Sequence, residues 1–155
     1  MNSSPILIVS GEPNSVFLEL FLKILNQNKI KSPIILISSK KLLDLQMKKL
    51  GFKYKINSLN SSKLNFKKLN NKTINLINVD YDPKKAFEKI SSKSNTFIKN
   101  SFELAFQIIK KNNVYKFING PISKKKFLKN KFLGITEYIS EKFFTKNTCM
   151  LIFNE

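Results

Sequence analysis

The 155-residue sequence contains no histidine and no arginine, and it has only one cysteine and four glycines. Without histidine, the chain offers no imidazole base, no imidazole metal ligand and no histidine pH switch. Without arginine, it lacks the guanidinium group that holds a carboxylate, a phosphate or a guanine edge by two hydrogen bonds. The lone Cys149 cannot form an internal disulfide and lies in an apolar run, so we expect a buried thiol in a reducing cytoplasm.

Positive charge is abundant instead: the chain has 28 lysines and 10 acidic residues, which gives a formal charge of +18. The lysines accompany 19 asparagines and 14 phenylalanines, residues with A/T-rich codons, so we attribute most of the charge to base composition. The lysines are spread along the chain and form no single stripe interleaved with aromatic residues, which disfavours a nucleic-acid interface. The alternative is a small basic α/β module that binds nucleic acid or another polyanion.

The chain has the composition of a folded protein, since 42% of its residues are hydrophobic. Its apolar stretches are interrupted well short of the roughly 20 residues that a membrane span needs. The first lysine, Lys23, follows the first apolar run, which is the wrong order for a secretory signal. We therefore expect a cytoplasmic protein without a membrane segment.

Apolar runs and amphipathic segments alternate along the first third of the chain. Residues 5–9 and 33–37 are nearly continuous apolar runs, as expected of strands buried on both faces. The periodicity after them predicts helices over residues 13–26 and from a cap at Ser38 or Ser39 to Gly51. This alternation predicts an α/β fold, a mostly parallel sheet with helices on both faces, formed by residues 1–155 as a single α/β unit.

The rest of the chain continues the pattern less regularly. Apolar alternation or apolar runs predict further strands at residues 52–56, 73–79, 115–119 and 148–153. Helical periodicity predicts helices at residues 84–90, from a cap at Ser94 to Asn112-Asn113, at 122–130 and at 136–143. Because the last strand directly precedes the final residues, we expect it to be a sheet edge or the polypeptide to continue in longer relatives.

Two turns that follow strands are candidate binding sites, because open α/β sheets bind ligands where their strands end. Residues 10–14 form a strand-to-helix turn with Gly11, which is either an anion-binding turn or an ordinary one. In residues 119–124, Gly120 permits close approach of another backbone, and Lys124 either reaches a carboxylate or phosphate or lies on a solvated face.

Two further segments carry polar groups. Thr136 is placed to cap a helix, where its hydroxyl and the free amides either form an anion site or simply cap, with Glu137 in the same turn. Asp80 and Asp82 either share a cation or mark a turn before a proline. No metal-ligand spacing, catalytic triad or base–nucleophile pair is visible, so these residues alone do not define a reaction.

Taken together and in order, four segments resemble the N-terminal half of 4-hydroxythreonine-4-phosphate dehydrogenase, the PdxA family. They are residues 5–13, which end in Gly-Glu-Pro; residues 119–124, Asn-Gly-Pro-Ile-Ser-Lys; residues 132–138, Phe-Leu-Gly-Ile-Thr-Glu-Tyr; and residues 149–153. The family has a G-[DE]-P turn after its first strand, a G-P-[IV]-x-K or A-P-[IV]-x-K turn, a G-H-T-E motif and a methionine-rich strand. The resemblance covers most of the chain except residues 52–93.

This resemblance implies an NAD-dependent oxidation of 4-phosphooxy-threonine, followed by decarboxylation, on the route to pyridoxal phosphate. It implies a fold like that of isocitrate and isopropylmalate dehydrogenases, with two α/β subdomains, a homodimer and a divalent metal. Thr136 matches the threonine that contacts substrate in G-H-T-E, and Lys124 lies in the matching lysine turn. Ile135 replaces the histidine of that motif, so the contact to substrate there is lost or altered.

The family's metal-ligating histidines and most of its nicotinamide-binding residues lie beyond the part of the family sequence that this chain matches. We therefore expect an N-terminal portion, from a truncated, split or partial gene, that is inactive alone or works with a separately encoded C-terminal half.

Overall fold

A computed structural model describes residues 4–27, 30–89, 91–128, 131–145 and 148–149. The chain divides into two compact units, residues 1–122 and residues 123–155. The first unit contains the sheet and most of the core. No helix among the described residues is long and apolar enough to cross a membrane.

The first unit is built on a parallel sheet. Its strands are β1 (Ile6–Val9), β2 (Ile34–Ser38), β3 (Ile56–Ser58), β4 (Ile74–Asn78) and β5 (Lys116–Asn119). They lie in the order β3-β4-β2-β1-β5, and every pairing is parallel. Every residue of β2 is buried, as expected of a central strand covered on both faces. The predicted parallel α/β sheet is confirmed.

Three helices cover the sheet: α1 (Phe17–Asn26), α2 (Lys40–Leu50) and α3 (Ser92–Asn112). Because α1 and α2 carry the chain in the same direction across the sheet, right-handed crossovers place both on one face. α3 returns the chain from β4 to β5 and so lies on the opposite face. Phe117 of β5 identifies that second face, since its ring lies 6.1 Å from Phe102 and 6.2 Å from Phe106 of α3.

The core consists of the inward faces of the helices and both faces of the central strands. α3 contributes Phe97, Ile98, Phe102, Ala105 and Phe106, each at most 5% exposed, as expected of the inward face of an amphipathic helix. α1 contributes Leu18, Phe21, Leu22 and Leu25.

The second unit, residues 123–155, contains a π-helix (Lys124–Leu128) and the helix α4 (Ile135–Phe143).

Helix ends were predicted best where a glycine or asparagine adopts the left-handed conformation. Gly51 (φ 76°) ends α2, and Asn113 (φ 52°) ends α3. Ser39 caps α2, since its hydroxyl accepts a hydrogen bond from the Leu42 amide at 3.4 Å.

Two predicted helix starts were wrong. α1 begins at Phe17, because residues 13–16 form a turn in which the Ser15 amide donates to the Glu12 carbonyl. α3 begins at Ser92 with Ser91 as its N-cap, and Ser94 lies in the first turn, its amide donating to the Ser91 carbonyl. The N-terminus of α3 therefore lies about one turn before the position that the apolar periodicity indicated.

Two segments differ more strongly from prediction. The strand predicted at residues 52–56 starts only at Ile56, and the rings of Phe52 and Tyr54 stack instead, 6.5 Å apart. The helix predicted at residues 84–90 is absent over the described residues 84–89. Its backbone groups bond to side chains: the Lys84 amide donates to Glu88 Oε1 at 2.7 Å. The described residues thus use side-chain partners in place of a helical ladder.

The last part of the chain corrects two further expectations. The helix predicted at residues 122–130 is a π-helix over Lys124–Leu128. The predicted strand at residues 148–153 lies outside the described residues except for Thr148 and Cys149, neither of which is in a strand. Cys149 is exposed, so the expected buried thiol is wrong.

Candidate functional site

The carboxyl ends of β1 and β5 meet at the switch point of the sheet. The strands that follow β1 in the chain, β2 to β4, lie on one side of β1 in the sheet. The crossover after β4 places β5 on the other side of β1. Open α/β sheets bind ligands in the crevice at such a point. The turns that leave these strands, residues 10–14 and 120–122, therefore form the first candidate site.

Glycine at positions 11 and 120 lets the two turns pack backbone against backbone. A Cβ atom on Gly120 would lie 2.6 Å from the carbonyl carbon of Ser10, and one on Gly11 would lie 2.7 Å from the carbonyl carbon of Gly120. The Glu12 amide donates to the Pro121 carbonyl at 2.7 Å, and the Gly120 amide donates to the Val9 carbonyl at 2.7 Å. The predicted close approach at Gly120 is confirmed. Because the Glu12 amide is used in this junction, it is not available to an anion.

Buried polar atoms line this end of the sheet. Glu12 is only 5% exposed; its Oε1 accepts a hydrogen bond from the Asn14 amide at 3.5 Å. Within the described part of the chain, Glu12 Oε2 and the hydroxyls of Ser10 and Ser38 have no hydrogen-bond partner. Ser10 and Ser38 follow paired positions on β1 and β2, so they lie side by side on one face.

Side chains from α2 and the β1 turn hold the segment of residues 80–89 across this edge. Gln46 Nε2 donates to the carbonyls of Pro13 (3.1 Å) and Ala86 (2.9 Å). Asn14 donates to the Tyr81 hydroxyl at 3.3 Å and accepts from the Glu88 amide at 3.0 Å. Gln46 was not among the predicted site residues, although an amide among the apolar positions of α2 was a usable signal.

The Asp80 and Asp82 carboxylates lie in an open pocket of about 590 Å³, together with Ser39, Lys40, Lys41, Asn78 and Tyr81. Among the described residues their hydrogen-bond partners differ. Asp82 pairs with Lys41 at 2.8 Å, and Asp80 accepts a hydrogen bond from the Asn78 amide group at 3.1 Å. This arrangement favours the interpretation as a turn over a shared cation.

Lys41 should control the titration of Asp82. Its hydrogen bond and its charge lower the pKa of the Asp82 carboxyl below the usual range. The pair therefore stabilises the fold above the ordinary carboxyl pKa, and this contribution is lost as pH falls through the lowered pKa. We expect Lys41→Met to raise the Asp82 pKa towards its usual value, as measured by NMR titration of the carboxyl carbon. Lys40→Met is the control, and an equal shift in both variants would contradict the assignment.

The three residues predicted to bind substrate all lie in residues 123–155. Lys124 is the exposed first residue of the π-helix, and Ile135 and Thr136 are half-buried in the first turn of α4. Tyr138 of α4 packs edge-on against Phe127 of the π-helix, with ring centroids 5.5 Å apart. An aromatic contact therefore links the two predicted binding segments.

Thr136 does not cap α4 as expected. The N-cap is Gly134, which places Thr136 at the second helical position, because the helix starts one residue before the threonine. Glu137 is at the third position, where a carboxylate can turn back to the N-cap, and its Oε2 would lie 3.0 Å from a Cβ on Gly134. The Thr136 hydroxyl is thus not used by a cap.

The described residues offer no cluster for a divalent metal, and the β1 turn does not fit the pyrophosphate of a dinucleotide. No group of three or more histidine, cysteine, aspartate or glutamate side chains among them could hold a metal ion. The β1 turn lacks the G-x-G-x-x-G pattern, and its glycine is packed against Gly120. Neither group is assigned to residues of this chain.

The parallel sheet, with its strand order reversing at β1 and helices on both faces, defines an open α/β domain. The family of the pyridoxal phosphate biosynthetic protein PdxA matches residues 29–155. The chain belongs to this family, which confirms the family resemblance; three of the four motifs lie within the matched residues, and residues 5–13 lie before them.

Solved structures show the same fold. A 4-hydroxythreonine-4-phosphate dehydrogenase from Burkholderia phymatum matches with a TM-score of 0.77 and 18% identity, over 93% of this chain and 44% of its own. The enzyme of that name from Klebsiella pneumoniae matches with a TM-score of 0.73 and 14% identity, over 90% of this chain and 44% of its own. The chain thus spans less than half the length of these proteins. No curated protein matches it.

Proposed function

We propose that this chain is the N-terminal part of an NAD-dependent dehydrogenase that oxidises and decarboxylates 4-phosphooxy-threonine in pyridoxal phosphate biosynthesis. Family membership supports the pathway. The observation that carries the assignment to this chain is the joining of the Lys124 helix to the first turn of α4 through Phe127 and Tyr138. Two segments that match the family's substrate-binding motifs thereby belong to one small unit.

In this proposal Thr136 binds the phosphorylated amino acid. Its hydroxyl lies in the first turn of a nine-residue helix, where free amides and the helix dipole favour a phosphate or carboxylate. Lys124 adds a positive charge from the neighbouring helix. Ile135 contributes neither a hydrogen bond nor a proton, so recognition in this turn depends on Thr136 and the backbone.

The oxidation itself requires residues outside this chain. NAD would supply a hydride acceptor for this oxidation, and a divalent metal would supply a Lewis acid for the substrate oxygen. Since the described residues fit neither group, we propose that a C-terminal part supplies both sites, in a homodimer as in the family. The chain alone is then inactive and works in the cytoplasm only with that part.

NADH formation from 4-phosphooxy-threonine with a divalent metal tests the proposal. We expect no turnover by the 155-residue chain alone and turnover when a C-terminal PdxA half is co-expressed. Thr136→Val should lower kcat/KM of the combined enzyme about 10- to 100-fold, because a hydrogen bond to a charged group contributes about 1.5–3 kcal/mol.

Thr96→Val is the matched control, since Thr96 is an exposed threonine on α3. Turnover by the isolated chain would disprove the need for a second half. An active enzyme with unchanged kcat/KM in Thr136→Val would remove Thr136 from the substrate site.

A further inference from the structure

α1 has an apolar surface on the side that faces away from its own core. Val16, immediately before the helix, is 60% exposed, and Leu20 and Ile24 are 50% and 48% exposed. Their spacing of four residues aligns them in one row, here called the α1 stripe. A helix that is apolar on its outer face as well as its inner face is typical of a buried element.

The charges around this helix support the same conclusion. In a chain of +18, α1 carries only Glu19 and Lys23, which pair with each other at 2.6 Å. α2, on the same face of the sheet, has five charged residues among its eleven: Lys40, Lys41, Asp44, Lys48 and Lys49. α2 has the composition of a solvent-facing helix, and α1 does not.

The edge strand β5 extends this apolar surface. Phe117 points to the α3 face, and side chains alternate along a strand, so Ile118 lies on the α1 face, where it is 46% exposed. Phe17 connects α1 to β5. Around the helix circumference, it lies between the α1 stripe and the buried face of α1. Its ring would lie 3.0 Å from a Cβ on Gly120, the residue after β5. The opposite edge, β3, presents Asn57 and Ser58 instead.

We propose that the α1 stripe and Ile118 are the docking surface for the C-terminal part of the PdxA-type polypeptide. This inference rests on the proposed function. Its support is length: the Burkholderia and Klebsiella structures contain the fold of nearly all of this chain, yet more than half of each polypeptide lies outside the match. A second copy of this chain is disfavoured as the occupant of the α1 stripe, because two isolated chains of +18 repel each other.

The test is co-expression of the chain with the C-terminal remainder of the Burkholderia enzyme and, separately, of the Klebsiella enzyme. We expect a 1:1 complex with at least one of them. Leu20→Glu should weaken it at least tenfold, measured by sedimentation or calorimetry. Ser58→Glu, which adds the same charge at the β3 edge, should leave it unchanged. Since Leu20 is half-exposed, the variant chain alone should keep its circular dichroism and melting midpoint.

Three results would overturn the proposal: no complex with either remainder, equal affinity in Leu20→Glu, or a homodimer of the chain that Leu20→Glu dissociates. The proposed function fails separately. A complex that Leu20→Glu weakens but that has no dehydrogenase turnover would refute the proposed activity and support the docking surface. Turnover that Leu20→Glu leaves unchanged would support the activity and refute the docking surface.

Discussion

Gly120→Ala is expected to lower the free energy of unfolding by about 3 kcal/mol or more, because overpacking against a rigid backbone exceeds the usual cost of a surface change. The new Cβ would meet the Ser10 carbonyl, which belongs to the backbone and has no alternative rotamer. Relief requires the β1 and β5 turns to separate, which would break the hydrogen bond from the Glu12 amide to Pro121. Urea denaturation followed by circular dichroism measures the loss.

Gly51→Ala is the control for this prediction. Gly51 has a positive φ of 76°, but among the described residues no atom beyond its chain neighbours lies within 4 Å of its Cβ position. Alanine at position 51 is destabilised only by adopting the left-handed backbone conformation, which costs about 1–2 kcal/mol. Equal destabilisation in the two variants would show that steric contact between the turns is not what makes Gly120 necessary.

The strands were predictable because each is a local pattern. β1 and β2 are short apolar runs, which are typical of strands buried on both faces, and β4 is apolar at three of its five positions. β3 was displaced because its three residues are mostly polar and are held by pairing with β4, which only the folded sheet reveals. Strand order likewise depends on crossovers that no single segment specifies.

Residues 84–89 show why local periodicity failed elsewhere. Ala86 gives its carbonyl to Gln46, and the Glu88 amide donates to Asn14, 74 positions earlier in the chain. These bonds satisfy backbone groups that a helix would otherwise pair internally. The sequence contains both partners, but their meeting depends on the tertiary fold.

The candidate site was predictable to a similar extent. The turn at Gly120 was found because glycine has a clear physical use next to another backbone. Lys124 and Thr136 were found through family motifs, and whether they bind substrate stays a prediction. Gln46 and Tyr81 were missed because the polar atoms they hold come from distant segments.

Phe102→Ala is expected to have the other large effect, a loss of about 3–5 kcal/mol in the free energy of unfolding from removed contacts and the remaining cavity. Phe102 is fully buried, and its ring lies 5.8 Å from that of Phe106 and 6.1 Å from that of Phe117. It therefore joins α3 to β5, the strand that leads into the Gly120 turn.

Two comparisons make this prediction specific. Phe102→Leu retains most of the volume and should cost clearly less than alanine. Tyr115→Ala removes an aromatic side chain that is 83% exposed, next to the same strand, and should change stability by no more than about 0.5 kcal/mol. Because Phe102 anchors β5, amide hydrogen exchange should rise at Phe117 and Ile118 in Phe102→Ala, while β4, at the other side of the sheet, keeps more of its protection. Uniform loss of protection across the sheet would instead show that β5 and β4 open as one unit, and that the α3–β5 contact has no separate role in placing the Gly120 turn.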